Sequence, residues 1–178
     1  IEGIHMQDIL NLAKKIKLVI FVVDGVLTDG SLFFGDDGQE YKAFYSRDGL
    51  GIKLLQRTGV EVGIITARDS QLVNHRMENL GIEHLYQGRL DKISAYQEMI
   101  AKLNVSPEQT AYAGDDVVDL PVMKKVGLAI AVQDAHPFVK KHAHWITEHN
   151  GGRGAARDIC ELIMEAQGTL DDQLNAFM

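Results

Sequence analysis

Apolar residues come in short runs along this chain, and a helical pattern follows most of them. Residues 17–23, 60–65, 110–113 and 128–132 are largely apolar stretches of strand length. Shorter runs at 84–86 and 144–146 read as a brief strand and an edge strand. Between the runs, residues 48–57 place Leu50, Leu54 and Leu55 at helical spacing, and Thr58-Gly59 ends that helix. Ser70 caps a helix that runs to Leu80 and closes on Gly81. Further helices are expected over 92–103, 117–126 and 154–167, with a short one started by Pro137 and an amphipathic one over 7–15. Residues 30–44 break the alternation: 31–34 and 40–44 read as the strands of a hairpin around Gly35-Asp36-Asp37-Gly38.

Strands linked through helices by short connections predict an α/β fold, a single doubly wound parallel sheet with helices on both faces. No large insertion interrupts the alternation. One domain over 6–168 and a polar tail over 169–178 complete the division, and Ile1-Glu2-Gly3-Ile4-His5 reads as the remnant of an expression tag. In such a sheet, ligands lie beyond the carboxyl ends of the strands. Those places hold residues 22–24, Thr66, 88–92 and 114–119.

Composition narrows the partners. A length of 178 residues, 46% hydrophobic and 24% charged, suits one soluble domain. No run approaches the ~18 apolar residues of a membrane span, and no signal region opens the chain, so a cytoplasmic protein without membrane contact is expected. The net charge of −7 argues against nucleic acid as a partner. An anionic ligand would need a local cluster of cations. Cys160, the single cysteine, lies in a helical pattern and reads as a buried thiol. His136, His142, His144 and His149 are too loosely ordered for zinc and read as surface and packing residues.

Four strand ends carry the candidate chemistry. Asp24 suits a general acid that later acts as a base, although an Asp before Gly25 is also an ordinary turn residue. Thr66 could hold a phosphoryl oxygen or simply cap the next helix. Lys92 opens a helix, where the dipole disfavours a cation, so it suits neutralisation of a phosphate better than a solvated face. Gly114-Asp115-Asp116-x-x-Asp119 groups three carboxylates, which fits Mg²⁺ with Asp115 as direct ligand and Asp116 and Asp119 bridging by water or orienting the site. An acidic helix start explains the same residues equally well.

Taken in order, these motifs resemble the haloacid dehalogenase superfamily of phosphatases, on Val22-Val23-Asp24-Gly25, Thr66, Lys92 and Asp115-Asp116-x-x-Asp119. Longer blocks are similar to the branch that hydrolyses 3-deoxy-D-manno-octulosonate 8-phosphate, an eight-carbon sugar acid of lipopolysaccharide synthesis. They are Val26-Leu27-Thr28-Asp29-Gly30, Lys42-Ala43-Phe44-x-x-Arg47-Asp48-Gly49-x-Gly51-Ile52, Ile64-Ile65-Thr66-Ala67-Arg68 and Gly151-Gly152-Arg153-Gly154-Ala155. The resemblance implies no cap domain, in agreement with the lack of a large insertion, and the hairpin of residues 30–44 as a flap. It implies Mg²⁺ as cofactor, held at positions 22, 24, 115, 116 and 119, and a homotetramer in which a neighbour closes each site. It implies substrate contacts from Asp24, Tyr45, Ser46, Arg47, Asp48, Gly49, Lys53, Arg68, Arg76 and Lys92. Arg47 and its fellow cations would take the sugar's carboxylate and hydroxyls, and Lys92 the phosphate.

One position departs from the pattern. The family has an Asp nucleophile and metal ligand where this chain has Val22, and Val offers no lone pair for either task. The expectation is a nearly inactive chain that binds Mg²⁺ weakly. Alternatives are a nine-carbon sialic-type substrate, a non-catalytic sugar-phosphate binder, and a phospho-receiver domain; the hairpin and the late acidic cluster argue against the last.

Overall fold

Residues 4–178 are described by a computed structural model; of the residues read as a tag remnant, 1–3 lie outside the described residues. In chain order the elements are α1 (Met6–Ala13), β1 (Leu18–Phe21), β2 (Phe33–Phe34), β3 (Glu40–Tyr41), α2 (Ser46–Arg57), β4 (Glu61–Ile65), α3 (Gln71–Leu80) and β5 (His84–Tyr86). There follow α4 (Lys92–Leu103), β6 (Thr110–Gly114), α5 (Leu120–Met123), β7 (Leu128–Ala131), α6 (Pro137–Lys140), β8 (Trp145–Ile146), α7 (Ala155–Ala166) and α8 (Leu170–Asn175).

Six strands form one parallel sheet in the order β5-β4-β1-β6-β7-β8. Helices cover both faces, so β1 is buried along its whole length and reads as an unbroken apolar run. The chain builds outward from β1 through β4 to β5, then returns to β6 on the other side of β1. That reversal opens a crevice at the carboxyl end of β1. Register aligns the strand ends there, with Phe21 opposite both Ile64 of β4 and Ala113 of β6. Val22, Thr66 and Asp115 therefore leave the sheet side by side.

Several elements differ from expectation. The hairpin strands β2 and β3 are two residues each and pair Phe33 with Tyr41 and Phe34 with Glu40. Helix α2 starts at Ser46, not at residue 48. The single helix expected over 117–126 is a 3₁₀ turn, Val117–Asp119, followed by α5. Asp119 turns its carboxylate back onto the backbone of the preceding loop, and Pro121 supplies no N–H to an incoming helix. Residues 169–178 do not form a plain polar tail. Gly168, at φ +73°, turns the chain after α7, and α8 follows with Leu170 packed against the core.

Candidate active site

The segment after β1 cannot continue as a strand, because Gly25 takes φ +89° and turns Val23–Leu27 into a wide loop that Thr28 N–H closes on the Val23 carbonyl at 3.1 Å. A Cβ on Gly25 would overlap the carboxylate of Asp115, so the glycine is what lets the β1 and β6 ends approach. Thr28 closes the turn: its Oγ1 accepts the backbone N–H of Gly25 at 3.3 Å and of Gly30 at 3.1 Å. Gly151 and Gly152 press against the same turn, and Gly152 N–H donates to the Val26 carbonyl at 2.9 Å. The glycine-rich motif before α7 thus packs behind the β1 turn.

Val22 lies between β1 and this turn with 3% of its surface exposed. Two residues on, Asp24 is half-buried and meets a partner that sequence reading missed. Lys42 Nζ donates to Asp24 Oδ1 at 2.6 Å and to Glu40 Oε1 at 2.9 Å, with only 1% of its side chain exposed. Arg68 Nη2 donates to the same Glu40 oxygen at 3.0 Å, and its guanidinium lies 5.9 Å from the Phe34 ring. These ion pairs tie the hairpin to the β1 and β4 ends. The one hint in the sequence was Lys42 at the head of its motif block. Thr66 is buried, and its Oγ1 accepts the Arg68 backbone N–H at 3.4 Å.

Beyond β6, the acidic cluster resolves into three different roles. Asp119 is fully buried and its oxygens are already committed. Its Oδ1 accepts from Lys92 Nζ at 2.7 Å and Tyr112 Oη at 2.8 Å, and its Oδ2 from the backbone N–H groups of Asp115 at 3.0 Å and Asp116 at 3.2 Å. It orients the loop and Lys92. Asp116 is exposed and caps the 3₁₀ turn through Val117 N–H at 2.7 Å. Asp115 faces Gly25 and the crevice. Burial, then the neighbouring Asp119 charge, push its carboxyl up to about 7, against the pull of Lys92. A carboxylate so placed is one that a divalent cation would stabilise. Val22 adds no donor, and among the described residues no three His, Cys, Asp or Glu side chains gather as a metal cage. The residues fit Mg²⁺ through Asp115, with Asp24 near, and the donor set is short by the ligand that position 22 lacks.

The expected substrate residues divide. Tyr45 and Arg47 line a cleft of 460 Å³ with Arg153 and Arg157 between α2 and the start of α7. Ser46 is exposed at the first turn of α2. Arg76 reaches across from α3 into the space that Gly49 leaves by having no Cβ, and lies 5.7 Å from the Phe44 ring. Its Nε is buried without a hydrogen-bond partner. Lys53 points elsewhere, into a shallow groove with Arg57, Glu78 and Asn79. Asp48 is 2% exposed and turned inward, where its Oδ1 accepts the Arg157 backbone N–H at 3.0 Å. Burial pushes its carboxyl up to about 6. It joins α2 to α7.

The other sequence candidates are structural. Cys160 is fully buried and its thiol is pushed well up by that burial. His149 pairs with Asp158 at 2.9 Å, and His144 Nδ1 accepts the Ala129 N–H at 2.8 Å.

Comparison with known proteins bears on the family and the fold. Residues 79–159 match the haloacid dehalogenase-like hydrolases. The 3-deoxy-D-manno-octulosonate 8-phosphate phosphatase of Yersinia pestis is 49% identical over 165 residues, 93% of this chain and 88% of that protein. The crystal structure of the enzyme of that name from Moraxella catarrhalis, in complex with magnesium, phosphate and a KDO molecule, has a TM-score of 0.95 at 40% identity, covering 98% of this chain and 100% of that one. The cobalt-bound Haemophilus influenzae phosphatase of the same class has a TM-score of 0.89 at 40% identity, covering 93% and 98%. With relatives this similar along nearly its whole length, the chain belongs to the haloacid dehalogenase-like hydrolases, among their phosphomonoester phosphatases.

Proposed function

We propose that this fold is built for Mg²⁺-dependent hydrolysis of 3-deoxy-D-manno-octulosonate 8-phosphate in lipopolysaccharide synthesis, in the cytoplasm, and that Val22 leaves this chain nearly inactive. The observation that carries the reading is the convergence of Asp24, Thr66, Lys92 and Asp115 on one strand-end crevice with Val22 at its centre. The names of the relatives support the substrate. When bound, Mg²⁺ would offset negative charge on the phosphate and on the attacking group.

The chain's own residues supply the rest. Thr66 and Lys92 bind phosphoryl oxygens, and Lys92 is held for that task by Asp119. Asp24, joined to Lys42 by a 2.6 Å hydrogen bond, relays a proton from that ammonium group to the leaving sugar alcohol and later returns one taken from water. Arg68, with Arg47 and Arg76, receives the sugar's acid group and hydroxyls. A nucleophile at position 22 would attack phosphorus and form the aspartyl phosphate. Val22 cannot, and Asp29 is no substitute, because it is exposed and turned to accept the Ser31 N–H at 2.9 Å. We also propose a homotetramer in which the hairpin meets a neighbour, since Phe33 and Phe34 are 54% and 61% exposed with Leu32 and Tyr41 beside them.

The test is phosphate release from the 8-phosphate with Mg²⁺, comparing the chain with Val22→Asp. Activity in the Asp form and a rate at least about 10³-fold lower in the parent are expected, as for loss of a nucleophile. Equal rates would place the nucleophile elsewhere and overturn the assignment.

A further inference from the structure

Four charged side chains meet beneath the hairpin, and two cations share one oxygen. Lys42 Nζ and Arg68 Nη2 both donate to Glu40 Oε1, at 2.9 and 3.0 Å. Lys42 is also bound to Asp24, while the Arg68 Nε stands 3.9 Å from Asp24 Oδ2. The two cations differ in freedom. The Lys42 side chain is 1% exposed and enclosed; that of Arg68 is 41% exposed and reachable from solvent. The Lys42 hydrogen bond and the two positive charges hold the Glu40 carboxyl below its ordinary value, so it is ionised at neutral pH. Arg68 therefore already holds a carboxylate.

We infer that Glu40 occupies Arg68 as an internal carboxylate, and that the acid group of an incoming sugar takes its place. This rests on the reading that Arg68 receives the substrate's carboxylate. Glu40 is then a specificity-determining residue. A ligand bearing a carboxylate exchanges one charge-assisted bond for another. A ligand without one has nothing to offer Arg68 and leaves the Glu40 pair closed. The exchange moves one side chain at the hairpin edge, opposite Phe34, and leaves the Lys42–Asp24 pair intact. Because Glu40 competes with the ligand, it lowers affinity for acids, and removing its charge raises that affinity.

Calorimetric titration tests this directly, since binding needs no nucleophile. The probes are free 3-deoxy-D-manno-octulosonate and the same sugar as its carboxamide, titrated with Mg²⁺ present into the chain, Glu40→Gln and Arg68→Ala. Glutamine keeps an acceptor for Lys42 and Arg68 but not the charge. Glu40→Gln is expected to bind the acid about two- to fivefold more tightly, the range for an ion pair this exposed, with the amide unchanged. Arg68→Ala is expected to lose the preference for acid over amide. If Arg68→Ala loses it but Glu40→Gln binds the acid no more tightly, or tightens acid and amide alike, the inference on Glu40 is wrong and the role of Arg68 stands. If Arg68→Ala keeps the preference, or the parent binds no acid at all, the Arg68 reading fails and this inference with it. A lower melting temperature together with weaker binding of both probes, in Glu40→Gln and Glu40→Ala, would show a structural brace and overturn the exchange.

Discussion

Replacing Asp48 by Asn should stabilise this protein at neutral pH, although the residue lies in a motif block that reads as substrate-binding. Its carboxyl is 2% exposed, receives one backbone N–H from Arg157, and leaves Oδ2 without a partner. Burial raises it from 3.8 to about 6. A carboxyl whose folded value exceeds its unfolded one binds its proton more tightly in the folded chain. Stability therefore falls as pH rises from about 4 to about 6, and the whole cost is present at pH 7. At ~1.4 kcal/mol per pH unit, that cost is about 3 kcal/mol. Asparagine keeps the acceptor for Arg157 and carries no charge, but its unpaired amide N–H₂ costs about 1 kcal/mol. The expected net gain at pH 7 is about 2 kcal/mol, or about 4–8 °C in melting temperature for a chain of this size. Urea and thermal unfolding of both proteins between pH 4 and 8 measure it, and the advantage should shrink as pH falls and turn into a deficit of up to about 1 kcal/mol near pH 4, where only the unpaired amide is left. An Asn variant less stable than its parent at pH 7, or a difference that does not change with pH, would refute the argument from burial.

Two further outcomes follow from other contacts. Lys92→Met leaves the fully buried Asp119 without its cation and should cost about 3–5 kcal/mol in urea unfolding, with part recovered in the Lys92→Met/Asp119→Asn double variant. Phe33→Glu and Phe34→Glu together should lower the mass seen by light scattering from a tetramer to smaller species without changing the far-ultraviolet circular dichroism; an unchanged mass would remove the hairpin from the interface.

How much was legible in the chain depended on the range of the signal. The β1 run Leu18–Phe21 was visible because a strand covered on both faces must be apolar throughout. The bounds of α4 were visible because Lys92 and Leu103 lie between local stop signals, and Asp91 caps the helix through Ser94 N–H at 3.1 Å. The split of 117–126 and the helix after Gly168 were not, since both depend on what a side chain meets: Asp119 its own loop, Leu170 the core.

The sequence by itself determined a parallel sheet between helices, and that Asp24, Thr66, Lys92 and Asp115 follow its strands at the carboxyl end. Hydrophobic periodicity and the alternation of strand with helix suffice for that, because parallel strands need crossovers and leave their loops at one end; the strand order came with the tertiary structure. It also showed that position 22 lacks a nucleophile. Only the tertiary structure decided which charges pair. Lys42 reaches Asp24 from 18 residues away, and Lys92 meets Asp119 from 27 away. Asp119 proved a hub whose two oxygens accept four hydrogen bonds, while its neighbour Asp115 faces Gly25. Ion pairing falls off within a few ångströms, so it is set by chain closure and leaves no period in the sequence.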